Sequence, residues 1–489
     1  MLNLNLASGQ EQPLYLQLYQ QIRNQIRSGA IAYGSRLPSI RALQNQLNIS
    51  KTPIETAYQM LIAEGYAISK PRSGLFVMNM LSAPSSATFT DMDVAVKSPS
   101  SPVAPADEQQ KLLIDFRAST TDEQQFPLRL WRQMLHHALD QAGEQLCKHG
   151  DAQGEASFRS VLADYLRKSR GVQCDPDQIV VGSGIRYSMN LLCALFEDRR
   201  TIAYEDPGYR VAQLLLERRG FEIVAVPVRE RGIVIEALLE TQADAVYVTP
   251  SHQFPTGTVM PYSDREQLLH WANNRNAYVI EDDYDGEFRY HGKPIPSLQG
   301  LDRSGRVIYI GTFSKAFTPA IRMNYMVLPA ELAERARQMR LLLDAPSRIE
   351  QWAMQAFIEK GHWFRHIRRM RSSYRKKHHL LLEQLEAAFG TSVQVTGHNA
   401  GLHIQLTVRT SLSVLELVEL AADEGVGVYD LERMQAIRKQ TYSGYPHIYL
   451  GFGGLQESQI IEGVRLLHRA WRTVLHTDRT TKEDRLYAR

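Results

Sequence analysis

At 489 residues the chain is too long for one domain, and ordinary domain sizes suggest about three. Its composition, 44% hydrophobic and 22% charged, supports a sizeable core, while no apolar run approaches the roughly 18 residues of a membrane-spanning helix and the start lacks a signal-peptide pattern. The net charge of +3 is unevenly spread: the first eighty residues hold seven basic residues against three acidic ones, which points to a nucleic-acid footprint there.

Three cysteines, Cys147, Cys174 and Cys193, are odd in number, far apart and without metal-ligand spacing. They suit a reducing cytoplasm and a buried structural role.

Pro13 opens a helical pattern in which Tyr15, Leu18, Tyr19, Ile22 and Ile26 share a face, and Gly29 closes it. Pro38 and Ser39 start a shorter helix with Ile40, Leu43 and Leu47 inward. After the Asn48-Ile49 turn, Ser50 is a suitable N-cap for a third helix whose apolar face is Ile54, Ala57, Tyr58, Leu61 and Ile62. Residues 66–69 and 75–78 read as strands around Lys70-Pro71-Arg72-Ser73-Gly74. Three helices and a basic hairpin make a winged helix-turn-helix over residues 1–80. Its third helix would enter a major groove by its N-terminal end. The DNA-contact candidates are Ser50, Lys51 and Thr52 at that end, Arg41 for a phosphate, and Arg72, Ser73 and Gly74 at the wing.

Residues 81–111 turn small, polar and proline-rich, as in Ser98-Pro99-Ser100-Ser101-Pro102, and read as a flexible linker. From residue 112 onward, β-rich runs alternate with helical patterns. Strands are expected at 179–182, 201–205, 222–228, 245–249, 277–281, 306–310 and 325–328, with helices at 185–197 and 208–219. This is an α/β pattern with a mostly parallel sheet covered on both faces, whose sites lie at the strands' carboxyl ends.

Two such ends carry reactive groups. Residues 306–310 lead into Gly311-Thr312-Phe313-Ser314-Lys315, and 277–281 into Asp282-Asp283-Tyr284-Asp285. Arg322 follows seven residues after the lysine. A lysine at a pocket mouth can lose hydration and become a nucleophile. Lysine for an imine, carboxylate for a pyridinium nitrogen and arginine for a phosphate are the groups that pyridoxal 5′-phosphate (PLP) requires. The Ser183-Gly184 turn, between strand and helix, offers amides to an anion. Tyr209 ends the next strand, where it could lie flat on a cofactor ring. His252 has no second ligand at metal spacing, and the chain lacks a P-loop and a Ser–His–Asp signature.

Two resemblances extend this reading. The run Leu37-Pro38-Ser39-Ile40-Arg41, with Leu47 to Pro53, Ala57 to Tyr66 and Ser73 to Val77, resembles the GntR-type DNA-binding domain. From about 112 to 475 the chain resembles fold-type I aminotransferases, most closely the aminotransferase-like domain of MocR/GabR regulators. Glu205-Asp206-Pro207-Gly208-Tyr209, residues 249–257, Glu281 to Tyr290 and Gly311 to Lys315 carry that likeness. The resemblance implies a Schiff base between Lys315 and PLP, and a pairing of Asp282 with the ring nitrogen. Tyr284 would meet the phenolic oxygen and Tyr209 would stack on the ring. Arg322, Thr312, Ser183 and Gly184 would hold the phosphate. The sequence departs from the pattern at Ile185 and Arg186 after that turn, at Asn324 in place of a glycine, and at Phe254 where aminotransferases keep an asparagine.

The C-terminal part, through residue 477, reads as helices over 330–389 followed by a smaller α/β domain, with a charged tail at 478–489. Residues 365–377 are strongly basic, and a solvated helix face is the default reading. An effector carboxylate would want an arginine, with Arg210 and Arg433 as candidates. The expected protein is a transcription regulator that binds promoter DNA and senses PLP or an amino compound through an aldimine at Lys315. The resemblance adds a domain-swapped homodimer. The alternative is a PLP-dependent aminotransferase with an accessory DNA-binding domain.

Overall fold

The computed structural model describes residues 4, 13–32, 34–64, 66–70, 73–78, 112–196, 200–290, 296–340, 343–430 and 444–475. The chain divides into two units, Met1–Ala104 and Pro105–Arg489. The expected linker and tail, and the candidates Arg72 and Arg433, lie outside the described residues.

In the first unit, helices α1 (Leu14–Arg27), α2 (Ile40–Leu47) and α3 (Lys51–Ala63) precede strands β1 (Ala67–Lys70) and β2 (Gly74–Val77). Leu18, Ile22, Leu43, Ile54, Ala57 and Leu61 are wholly buried and form its centre. The apolar periodicity therefore specifies this packing, although Tyr15 and Ile62, expected inward, are exposed. Asn48 ends α2 in the left-handed region (φ 52°), which an asparagine tolerates, and so turns the chain into α3. The strands pair antiparallel with Lys70 opposite Gly74, which completes the wing.

The second unit begins with β3 (Ile114–Asp115), α4 (Leu128–Ala142) and α5 (Ala156–Arg170). Then come β4 (Ile179–Gly182), α6 (Ile185–Leu195), β5 (Thr201–Asp206), α7 (Arg210–Arg218), β6 (Glu222–Arg229), β7 (Gly232–Ile233) and α8 (Ile235–Leu239). The series continues with β8 (Ala245–Val248), α9 (Tyr262–Arg275), β9 (Tyr278–Asp283), α10 (Leu298–Leu301), β10 (Val307–Thr312) and β11 (Asn324–Val327). The order across the large sheet is β4-β11-β10-β9-β8-β5-β6-β7. Its centre, β10-β9-β8-β5-β6, is parallel, while β11 and β7 pair antiparallel. Ile179 and Val181 of β4 enter one apolar cluster and Val180 another, as expected of a strand buried on both faces.

Helices α11 (Ala330–Gln338), α12 (Arg348–Glu359) and α13 (His362–Phe389) connect to a smaller part. There, β12 (Val393–Thr396), β13 (His403–Val408), α14 (Val414–Asp423), β14 (Val426–Gly427), β15 (Tyr429–Asp430), β16 (His447–Gly451) and α15 (Glu457–Trp471) follow. β12-β13-β16-β15 form an antiparallel sheet, and β14 pairs with β3. This pairing ties the segment that opens the second unit to its C-terminal part. The cysteine expectation needs correction: Cys147 is exposed, and Cys174 and Cys193 are only partly buried. No helix among the described residues is long and apolar enough to cross a membrane.

Candidate functional site

The parallel centre of the large sheet gathers most of the site candidates. β9 runs two residues further than its apolar run suggested, so Asp282 lies inside the strand and is buried. Tyr247, from the adjacent β8, donates its phenolic hydrogen to Asp282 Oδ2. Burial pushes the Asp282 carboxyl up to about 7, against the pull of that bond. The Tyr247 ring stacks on Tyr204 of β5 at 4.8 Å, and Tyr204 Oη donates to the Tyr209 carbonyl (2.7 Å). The carboxylate and the ring-stacking candidate are thus held through one pair of stacked phenols.

Lys315 follows β10 by three residues and is half-buried. Its Nζ donates to the carbonyl of Ala118, which lies just beyond β3. Burial lowers its pKa, and the nearby Asp285 charge opposes that shift. No carboxylate forms an ion pair with it among the described residues.

Arg322 stands in the left-handed region (φ 48°) and donates Nη2 to the Ser183 carbonyl (3.1 Å). Asn324 Oδ1 accepts from the Gly184 amide (2.9 Å), and its Nδ2 donates to Ser188 (2.7 Å). The asparagine that replaces the family glycine therefore pins the turn. Gly184 has φ 115°, and a Cβ there would lie 2.5 Å from Arg322 Nη2. Thr312 Oγ1 binds Ser314, accepting its amide (3.1 Å) and donating to its Oγ (3.0 Å).

Tyr284 donates to the His252 carbonyl (2.9 Å), and its Oη is 3.1 Å from His252 Nδ1. That nitrogen also faces Asp285 Oδ2 at 2.9 Å. Burial first, then Asp285, raises the Tyr284 phenol well above its ordinary value. Sequence spacing offers His252 no partner, but the fold supplies Asp285 and His403. Ligand atoms of these three buried groups lie within 4.8 Å of one another. His403 Nε2 also meets the Pro255 carbonyl (3.1 Å), so a cation would have to displace existing hydrogen bonds. Phe254 packs edge-on against both Tyr209 (5.7 Å) and Tyr284 (6.0 Å), which makes its position apolar.

The structure does not gather every candidate. Arg210 pairs with Glu217 of its own helix at 3.6 Å. Tyr204, Tyr247 and Ala118 carry no local signal in the sequence and reach the site only through strand order and the β3–β14 pairing. In the first unit, Arg41, Ser50, Lys51, Thr52, Ser73 and Gly74 are all exposed. Ser50 occupies the N-cap position of α3 but makes no side-chain cap bond, whereas Ser39 caps α2 through the Ala42 amide (3.1 Å). This differs from the expectation of a capping Ser50.

A winged-helix unit followed by this sheet and lysine loop defines a class: a DNA-binding protein fused to an aminotransferase-type fold. Residues 14–77 match the gntR family of bacterial regulatory proteins, and residues 110–435 match aminotransferase class I and II. The chain is 42% identical over 463 residues to the uncharacterized HTH-type transcriptional regulator YdeL of Bacillus subtilis (strain 168), covering 94% of this chain and 97% of that protein. It is 30% identical over 472 residues to the probable rhizopine catabolism regulatory protein MocR of Rhizobium meliloti, covering 94% of each. The solved kynurenine aminotransferase of Pyrococcus horikoshii aligns with a TM-score of 0.67 at 25% identity, covering 74% of this chain and 91% of that structure. The chain belongs to the MocR-type regulators of the GntR family and is a DNA-binding transcription regulator.

Proposed function

We propose that this regulator holds PLP at Lys315 and alters its engagement with promoter DNA when the site takes up the cofactor or a primary amine. The observation that carries the reading is the state of Lys315: an amine partly removed from water, bonded to a carbonyl, with a lowered pKa. The surrounding groups fit the cofactor. Asp282, buried and supported in its ionised form by the Tyr247 hydroxyl, suits a protonated ring nitrogen. The cradle of Arg322, Ser183 and Gly184 leaves no room for a Cβ at Gly184 and suits a phosphate. Thr312 would add a hydroxyl there, Tyr209 would cover one ring face and Tyr284 would meet the phenolic oxygen. When bound, PLP supplies an aldehyde that a primary amine can hold covalently and that a second amine can take over. Lys315 presents the amine, and its reduced pKa keeps more of it unprotonated.

The regulator reading is favoured over the enzyme reading by Phe254. It places an edge-on aromatic ring between Tyr209 and Tyr284, where catalysis of transamination would call for a hydrogen-bond donor to the ring oxygen. Two copies of the chain would present two winged helices to paired half-sites. A ligand alters DNA binding only through different affinities for two arrangements of the protein.

The test is the visible spectrum of the full-length protein with PLP, for wild type and Lys315→Ala, before and after a panel of primary amines. A lysine-dependent band that one amine shifts supports the proposal. Identical spectra for the two proteins would remove both the sensor and the aminotransferase readings.

A further inference from the structure

A cavity of about 470 Å³ opens on the face of the large sheet opposite Asp282. Asp283, the next residue along β9, points to that face. Arg170 Nε binds Asp283 Oδ2 at 2.6 Å, and Tyr309 donates to the same oxygen (2.7 Å). Burial alone would raise the Asp283 carboxyl, but Arg170 and these hydrogen bonds outweigh it and hold the group below its ordinary value. The cavity lining holds seven cationic side chains and one carboxylate, Glu287. Arg170 and Arg265 are buried, whereas Arg368, Arg371 and Arg375 of the basic α13 are exposed. Neither Arg368 nor Arg375 forms an ion pair with an acidic side chain among the described residues. Arg371 is anchored through Nε on the Glu287 carbonyl (2.9 Å).

So many cations around one concavity raise each other's cost. Burial lowers the Arg265 guanidinium to about 10; the Glu281 charge opposes that shift and Arg170 adds to it. Burial followed by Arg170 lowers Arg289 in the same way. An anion there would relieve this repulsion, and planar guanidinium groups match phosphate oxygens in pairs. Tyr165, Phe364 and Ile367 give the same cavity an apolar side.

We propose that this cavity is a second anion site, which takes a small phosphate-bearing molecule. Its volume of about 470 Å³ favours a small ligand over a nucleic-acid backbone. A duplex would meet the exposed arginines of α13, whereas a small anion can also enter the cavity, which Lys168 lines with them. The proposal does not depend on the cofactor at Lys315.

Calorimetric titration of the full-length protein with inorganic pyrophosphate at constant ionic strength tests it. The comparison is among wild type, Arg322→Ala and the double variant Arg368→Ala/Arg375→Ala, whose altered side chains are exposed. One pyrophosphate per chain is expected in Arg322→Ala, where the cradle is removed, and this binding should be weakened about tenfold or more when Arg368→Ala/Arg375→Ala is made. Absence of saturable binding would overturn the proposal. Loss in Arg322→Ala with an unchanged double variant would also do so, because the anion would then sit in the cradle of Gly184. If the double variant loses affinity for duplex DNA while pyrophosphate binds neither it nor wild type, α13 is a nucleic-acid surface instead.

Discussion

Tyr247 donates its phenolic hydrogen to Asp282, and the two side chains face each other from neighbouring parallel strands. The bond stabilises the ionised form of a carboxyl that burial drives the other way. Tyr247→Phe should therefore push Asp282 further toward its neutral form and weaken its grip on a protonated ring nitrogen. A hydrogen bond to a charged group contributes about 1.5–3 kcal/mol, so PLP affinity should fall by about tenfold or more. An absorbance titration measures this, and an unchanged affinity would separate Tyr247 from the cofactor.

Asp282 also sets a pH dependence for the cofactor-free protein. Its folded value, about 7, lies above the ordinary aspartate value. The folded state therefore holds the proton more tightly than the unfolded chain does. That contribution is complete below the unfolded value and is lost as pH rises through about 7. Asp282→Asn cannot ionise and keeps an oxygen for Tyr247. It should be more stable than wild type at pH 8, by up to about 4 kcal/mol, with the advantage shrinking toward pH 4. Denaturant unfolding at several pH values checks the trend, and a pH-independent difference would refute it.

The sequence makes the local parts of this site legible because their signals are local. Lys315, Asp282 and the Ser183-Gly184 turn each follow an apolar β-run, and such runs mark their own ends, whereas Arg322 is legible only by its spacing from Lys315, after a short turn at Pro319–Ile321. The helices of the winged unit are legible for a similar reason, since Leu18, Ile22, Ile54 and Leu61 recur at helical spacing and are wholly buried. What stays hidden depends on strand order. β8 lies between β9 and β5, so Tyr247 reaches Asp282 and stacks on Tyr204, 43 residues before it in the chain. His403 arrives beside His252 from β13, and Ala118 meets Lys315 because β3 pairs with β14. Short strands such as β3, β7 and β14 span two residues each and leave no periodicity to read.

Lys51 separates DNA affinity from stability. Its ion pair with Glu55 (2.7 Å) is solvent-exposed and contributes little to folding. Lys51→Ala should leave unfolding within about 0.5 kcal/mol of wild type. If the residue meets a phosphate, promoter affinity should fall similarly on all sequences and the salt slope should drop by about 1. Fluorescence anisotropy across a salt series measures both quantities. An unchanged slope would exclude a phosphate contact.

Two serines at helix starts should behave differently. Ser39 accepts the Ala42 amide, so Ser39→Ala should cost the winged unit about 1 kcal/mol. Ser50 makes no such bond, so Ser50→Ala should cost a small fraction of that. Equal losses in thermal unfolding would mean that both serines cap their helices in solution.

Gly184 tests the phosphate cradle directly. Its φ of 115° is strained for any residue with a side chain, and an added Cβ would press on Arg322 Nη2 at 2.5 Å. Gly184→Ala should displace the guanidinium and distort the turn that Asn324 pins through the Gly184 amide. The phosphate should feel this loss, whereas the ring and the aldehyde, which meet Asp282 and Lys315, should not. Affinity for PLP is therefore expected to fall by about tenfold or more, with affinity for pyridoxal, which lacks the phosphate, nearly unchanged. Parallel absorbance titrations with the two aldehydes decide the matter. An equal loss for both would place the damage in the sheet rather than in the cradle, and no loss for either would remove Gly184 and Arg322 from cofactor binding.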